Sequence, residues 1–255
     1  MEILYLLITL LATTIGAIAG IGGGIIIKPC LDAIGTYNVS TIGVLSSITV
    51  LVMATVSTIK FIKGGIKFDL KVLILSVGAV FGGFLGKFLF EIFAQELSDQ
   101  LAKGIQEGIL IVLLIFVLFR KYYPTYHIRD LFITLLAGVF MGTISSFLGI
   151  GGGPVNVVII FVIFSVNMKD AAVYSIFVIF FSQLSTVAAT SISPGLQQYD
   201  LKMLLFMIPA AILGGFLGSH LNRKMSGKAV EVLFNIVMGM VLLLNIINVI
   251  IFLLK

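Results

Sequence analysis

The stretch Gly20-Ile21-Gly22-Gly23-Gly24-Ile25-Ile26-Ile27-Lys28-Pro29 decides how this chain is read, because its first five residues return as Gly149-Ile150-Gly151-Gly152-Gly153. Glycine inside a helix costs about 1 kcal/mol per residue against alanine. Two such runs therefore mark two breaks, each set into an otherwise apolar stretch. Interrupted apolar segments at corresponding places in two halves are the best sequence pointer to a binding site near the middle of a bilayer.

The surroundings support a membrane setting. Of 255 residues, 60% are apolar and only 11% charged, against about 25% charged in soluble domains; the mean hydropathy is +1.22. Long apolar runs alternate with short charged loops, the pattern of an all-α polytopic membrane protein. No stretch is left for a soluble catalytic or nucleic-acid-binding domain. The net charge of +5 is read as a topology signal, not as a sign of a nucleic-acid partner. The single cysteine, Cys30, excludes an intramolecular disulfide. His127 and His220 fall at segment ends, with no metal-ligand cluster. A dinucleotide fingerprint would need a preceding strand and an acidic residue about 20 positions on; Asp32 comes too early, and no cofactor is expected. No nucleophile–base pair stands out, so the chain is not read as an enzyme. Residues 1–20 begin with Glu2 and carry no Lys or Arg, so they read as the first structural segment, not as a cleaved signal.

A shift of 129 residues carries Gly20–Gly24 onto Gly149–Gly153, Asn38 onto Asn167 and Ser46 onto Ser175. With a drift of two or three residues, Asp69-Leu70-Lys71 matches Asp200-Leu201-Lys202. Gly82-Gly83-Phe84-Leu85-Gly86 likewise matches Gly214-Gly215-Phe216-Leu217-Gly218. The chain divides into a first membrane repeat at 1–120, a cytoplasmic linker at 121–130 and a second membrane repeat at 131–255. The expected helical segments are 3–19, 25–35, 40–59, 70–92 and 104–119, then 131–147, 154–165, 170–190, 201–221 and 229–254. The pieces after each glycine run are too short to span, which takes about 20 residues. They read as half-helices of broken, re-entrant hairpins.

Charge orients this plan. If each glycine run is a hairpin tip, one side gathers Lys60, Lys63, Lys67, Lys71, Arg120, Lys121, Arg129, Lys169, Arg223, Lys224 and Lys228, eleven of the 16 basic residues. Placing each break inside a single crossing gathers nine at best. The positive-inside rule favours the first arrangement. Five segments per half then turn the second repeat upside down relative to the first, giving two inverted repeats with both termini outside the cell membrane.

A half-helix starting after the glycines would aim free amides and its positive dipole end at the break, which suits an anion. Pro154 suits the first position of such a helix. The candidate substrate-binding residues are Gly20, Gly22, Gly23 and Gly24 with Lys28 and Ser46 in the first half. Those of the second half are Gly149, Gly151, Gly152 and Gly153 with Asn156, Ser175 and Gln183. The glycines either let backbone approach a ligand or only let helices cross closely. Lys28 either opposes an anion's charge or snorkels to the interface. Asn156 either bonds substrate oxygens or caps local backbone. Ser46 and Ser57 share a helix face, as do Ser175 and Thr186. Glycines spaced by four, at Gly78, Gly82 and Gly86, Gly138 and Gly142, Gly214 and Gly218, and Gly104 and Gly108, read as helix-packing positions.

The two glycine motifs and the twofold layout resemble the sulfite exporter TauE/SafE family of membrane permeases. The family's form is a glycine-rich run, a few apolar residues and a proline. Pro29 fits it in the first copy, while in the second Pro154 follows the glycines directly and Val158 takes the later position. The resemblance implies passage of sulfite, sulfonates or related small organic anions. The partners are then that anion and the lipid bilayer, with a second copy of the chain also admitted.

No Asp or Glu is expected in mid-segment, since Glu91 and Glu107 fall at segment ends, so no buried proton relay is foreseen. Efflux of an anion from an inside-negative cell gains about 2.3 kcal/mol per charge per 100 mV and needs no coupling ion. The expected function is thus a secondary transporter or facilitator of small anions. An anion-selective channel and a non-transporting membrane scaffold stand as alternatives.

Overall fold

A computed structural model of the chain describes residues 1–128, 130–193 and 195–253. Arg129 of the basic side, and residue 254 at the end of the last expected segment, lie outside the described residues. The fold is all-helical. The first five helices are α1 (Glu2–Ala19), α2 (Gly24–Ile34), α3 (Val39–Lys63), α4 (Leu70–Glu96) and α5 (Asp99–Leu118). They are followed by α6 (Leu131–Leu148), α7 (Gly153–Phe164), α8 (Met168–Ile192), α9 (Leu204–Lys224) and α10 (Gly227–Leu253). Among the described residues eight helices are long and apolar enough to cross a bilayer; α2 and α7 are too short. At 1.5 Å per residue those two reach only about 16–18 Å.

Local chemistry explains the boundaries. The matched asparagines turn out to be helix caps: Asn38 accepts from the Thr41 amide and Asn167 from the Asp170 amide, starting α3 and α8. Such a cap contributes about 1 kcal/mol. Pro154 sits in the first turn of α7, where a missing amide hydrogen costs nothing. Pro29 lies inside α2. Helix α5 begins at Asp99 because Ser98 caps it, accepting from the Leu101 amide. The sequence reading started that segment at 104.

Packing joins one half to the other. α4 lies along α6 and α1 along α9; α4 also meets α8, and α3 meets α9. Exchanging α1–α5 for α6–α10 maps each of these pairs onto another of them, while α3 against α8 and α5 against α10 map onto themselves. The glycines make the long pairings close. A Cβ on Gly82 would stand 2.1 Å from the Val139 carbonyl oxygen, and one on Gly142 2.3 Å from that of Ala79. Gly214 and Gly218 meet Thr13 and Thr14 of α1 in the same way. Gly108 faces no atom within 4 Å, so it is not the packing position its spacing suggested.

Gly82→Val is expected to lower the melting temperature of the detergent-solubilised protein by several degrees, from an overpacking cost of about 1–3 kcal/mol. Gly108→Ala is expected to leave it unchanged. Thermal unfolding followed by loss of the monodisperse chromatographic peak checks both.

Candidate functional site

The two glycine runs meet each other. A Cβ on Gly24 would fall 2.3 Å from the Ile150 carbonyl oxygen, and one on Gly22 3.0 Å from that of Gly151. Both runs rest on Val50 and Ile179, which lie near the middles of α3 and α8. Gly20 packs on Ala172 and Gly149 on Gly43, a pair of contacts again related by 129 residues. Gly23 and Gly152 precede α2 and α7 with φ of 77° and 97°, a region closed to most side chains. Gly153, the first residue of α7, faces the side chains of Ile25 and Ile150. Close backbone approach and positive φ thus account for the runs without a ligand.

Two helices end inside the protein here, and their last carbonyls need partners. At the end of α1, the Asn222 amide donates to the Ile18 carbonyl at 2.7 Å and the Ser175 hydroxyl to the Gly20 carbonyl at 2.6 Å. At the end of α6, the Lys28 ammonium donates to the Leu148 carbonyl at 2.8 Å and the Gln106 amide to the Phe147 carbonyl at 2.8 Å. Lys28 also donates to the Gln106 side-chain oxygen. One helix end is therefore closed by neutral groups and the other by a cation. Lys28 is only 4% exposed, so it does not snorkel. Its ammonium sits at the negative end of the α6 dipole.

Beside this cation a cleft opens between α3, α4, α6 and α8. Lys28, Lys87, Gln106, Ser47, Ser146, Thr186 and Thr190 line it, with Gly149 at its wall. Lys87 is buried, 3.4 Å from Glu91 and 3.5 Å from the Tyr199 hydroxyl. The Ser146 hydroxyl is buried without a partner. The space inside is about 20 Å³, enough for about one water. A tetrahedral anion enters only if the walls part.

Three sequence candidates lie around the glycine runs with unused polar atoms. Asn156 is 1% exposed, and neither atom of its amide has a partner; it stands against Gly152. Gln183, one turn along α8 from Ile179, donates to the Ser145 hydroxyl at 3.1 Å and keeps its oxygen free. The Ser46 hydroxyl, near Gly24, is also free. Ser175 is spent on the Gly20 carbonyl. The first half has Gly16, Ile27 and Ala54 at the positions of Ser145, Asn156 and Gln183. Asn156 and Gln183 thus have no polar counterpart at the matching positions of the first half.

Sequence reasoning missed Lys87, Gln106 and Ser146. Lys87 was visible as a charge inside an apolar segment with Glu91 four residues on, the usual mark of a functional intramembrane group. The placing of Glu107 at a segment end is corrected: α5 starts at Asp99, so Glu107 is two turns inside and 7% exposed. A buried carboxylate is present after all.

Lys28→Met is expected to destabilise the fold by about 1–3 kcal/mol, leaving the Leu148 carbonyl unpaired. Ser175→Ala is expected to cost about 1 kcal/mol. Melting temperatures in detergent should rank them in that order.

Comparison with known proteins gives the family. Residues 5–245 match the family model described as Sulfite exporter TauE/SafE. The probable membrane transporter protein YunE of Bacillus subtilis (strain 168) is 23% identical over 259 residues, covering 92% of this chain and 94% of its own length. No solved structure matches. A multi-pass helical membrane protein with this glycine architecture, matched from Tyr5 to Asn245, belongs to the sulfite exporter TauE/SafE family of transporters.

Proposed function

We propose that the chain is a secondary transporter of small sulfur-containing anions, sulfite or sulfonates, across the cell membrane. The anion enters the cleft beside Lys28 and Lys87 and passes to the paired glycine runs. The observation that carries this reading is the cationic closure of α6 at the floor of a hydroxyl-lined cleft. Two buried ammonium groups, with the Ser47 and Ser146 hydroxyls, offer the donors that an oxyanion requires, whereas Thr186 and Thr190 line the cleft with their protons already given to the Ser182 and Thr186 carbonyls. Beyond them the unpaired Asn156 NH2 stands beside the start of α7, whose first amides have no acceptor within the helix; the Gln183 NH2 is already given to Ser145. An unpaired buried amide costs about 1–3 kcal/mol, a cost that a passing ligand offsets.

Movement by alternating access fits the twofold layout. The positions that line the cleft have equivalents on the other half, and those are closed. Ser57, the equivalent of Thr186, donates to the Gly215 carbonyl at 3.2 Å. Phe61, the equivalent of Thr190, is fully buried. Asn222, which the Gly82–Gly214 match pairs with Phe90 of the cleft wall, is tied to the Ile18 carbonyl. In the inverted arrangement one cleft faces each side, and exchange of open and closed halves carries the anion across. A channel would need both clefts open together.

Purified protein in liposomes is expected to carry radiolabelled sulfite or methanesulfonate, with no unitary currents in planar bilayers. Asn156→Leu is expected to keep or raise the melting temperature while flux falls at least tenfold. Unchanged flux in that variant removes Asn156 from the path, and no anion flux in the wild type under any gradient sinks the proposal.

A further inference from the structure

Next to the anion cleft, α2, α5 and α10 enclose a second group of charges that the cleft does not use. The Asp32 side chain is almost fully buried, 3.8 Å from Lys103, which also pairs with Asp99 at 3.2 Å. Glu107 lines the same groove as Asn248 of α10, whose amide donates to the Pro29 carbonyl at 3.2 Å. Asn245, fully buried, donates to the Val241 carbonyl and leaves its oxygen without a partner. Asp32 likewise has an oxygen without a hydrogen bond.

Two spaces connect through these residues. Asp32, Glu107 and Asn245 line a small cavity of about 10 Å³ together with Lys28 and Gln106. Lys28 and Gln106 also line the anion cleft. On the other side Asp32 and Glu107 line an open groove of about 600 Å³ with Asp99, Lys103 and Asn248. The two carboxylates thus stand between an open groove and the ammonium that faces the anion.

The charges acting here are few. Lys28 and Asp32 face Glu107 from α2, with Lys103 from its own helix; Asp99 adds to the field at Asp32 and Lys28. Helix α10 brings only the amides of Asn245 and Asn248, and α7 carries no titratable residue. α4 gives Lys87, paired with Glu91, to the cleft. With both carboxylates ionised, much of the Lys28 charge is cancelled. One proton on either carboxylate leaves more of that charge for an anion in the cleft. A metal cation is disfavoured, because Lys28 and Lys103 already place two ammonium groups around the cavity.

We propose that Asp32 and Glu107 take up a proton from the groove and couple it to anion binding at Lys28, which makes the chain a proton–anion symporter; this rests on the anion-transport reading above. A hydronium ion in the groove gives its proton to a carboxylate oxygen, forming one O–H bond and releasing water. When the halves have exchanged and the anion has left on the other side, the carboxylic acid gives its proton to a water on that same side, re-forming the carboxylate and a hydronium ion there.

The test uses proteoliposomes and radiolabelled methanesulfonate, a sulfonate that keeps its charge at every pH used, so substrate titration cannot mimic coupling. An inside-alkaline gradient of about one pH unit is expected to raise initial uptake at least fivefold, with an entrapped pH dye reporting acidification in step with anion entry. Glu107→Gln and Asp32→Asn are expected to cut that response below twofold, with melting temperatures confirming that they fold. Uptake by the wild type that ignores the pH gradient, or follows a sodium gradient instead, overturns the proposal even if neither variant folds. So does a full response in both folded variants. Absence of all methanesulfonate flux, exchange of label for unlabelled anion included, fails the anion reading itself, whereas exchange without proton movement fails only the coupling.

Discussion

Two helices end within the body of this protein, and the cost of unpaired carbonyls in an apolar interior governs what surrounds them. At membrane depth an unsatisfied backbone group costs several kcal/mol. The end of α1 is met by Asn222 of α9 and Ser175 of α8, and the end of α6 by Lys28 of α2 and Gln106 of α5. Every partner comes from a distant part of the chain. The broken helices, the pairing of the halves and the polar residues of the centre are in this sense one requirement.

The two solutions to that requirement differ in charge, and the difference gives the centre a direction. Neutral donors close α1 with no net charge, leaving the surroundings apolar at Gly16, Ile27 and Ala54. A lysine closes α6, and around it collect Lys87, Ser146 and the cleft on one side, Asp32 and Glu107 on the other. A single residue, Lys28, belongs to all three settings. It is a cap, a wall of the cleft and the neighbour of the buried carboxylates.

Much of the fold was legible because it is written in local signals. Apolar run length and the glycine runs placed the ten helices to within a few residues. The one consequential slip was the start of α5, where the Ser98 cap was overlooked and Glu107 was left at an end. The site was only partly legible. Asn156, Gln183 and Ser46 were picked out for being polar in apolar stretches, and the structure leaves polar atoms of each unpaired. The role of Lys28 was not legible, since its acceptor lies 120 residues away on α6. Ser175 looked like a lining hydroxyl, yet its proton goes to the Gly20 carbonyl across 155 residues. Such pairings follow from how helices cross, which no local pattern encodes.

The exchange of partners between the halves also bears on how the molecule is made. α1 packs along α9 and α4 along α6, so the first five helices cannot reach their final arrangement when they leave the ribosome. The small-residue face of α1 waits for a partner roughly 200 residues downstream, or about 10–40 s at ordinary synthesis rates of about 5–20 residues per second. Throughout that interval Thr13, Thr14 and Ala17 face lipid or a passing helper in place of Gly214 and Gly218. Assembly is therefore a late, whole-chain event, and a ribosome that stalls between the halves leaves a fragment whose helices have nothing to close on.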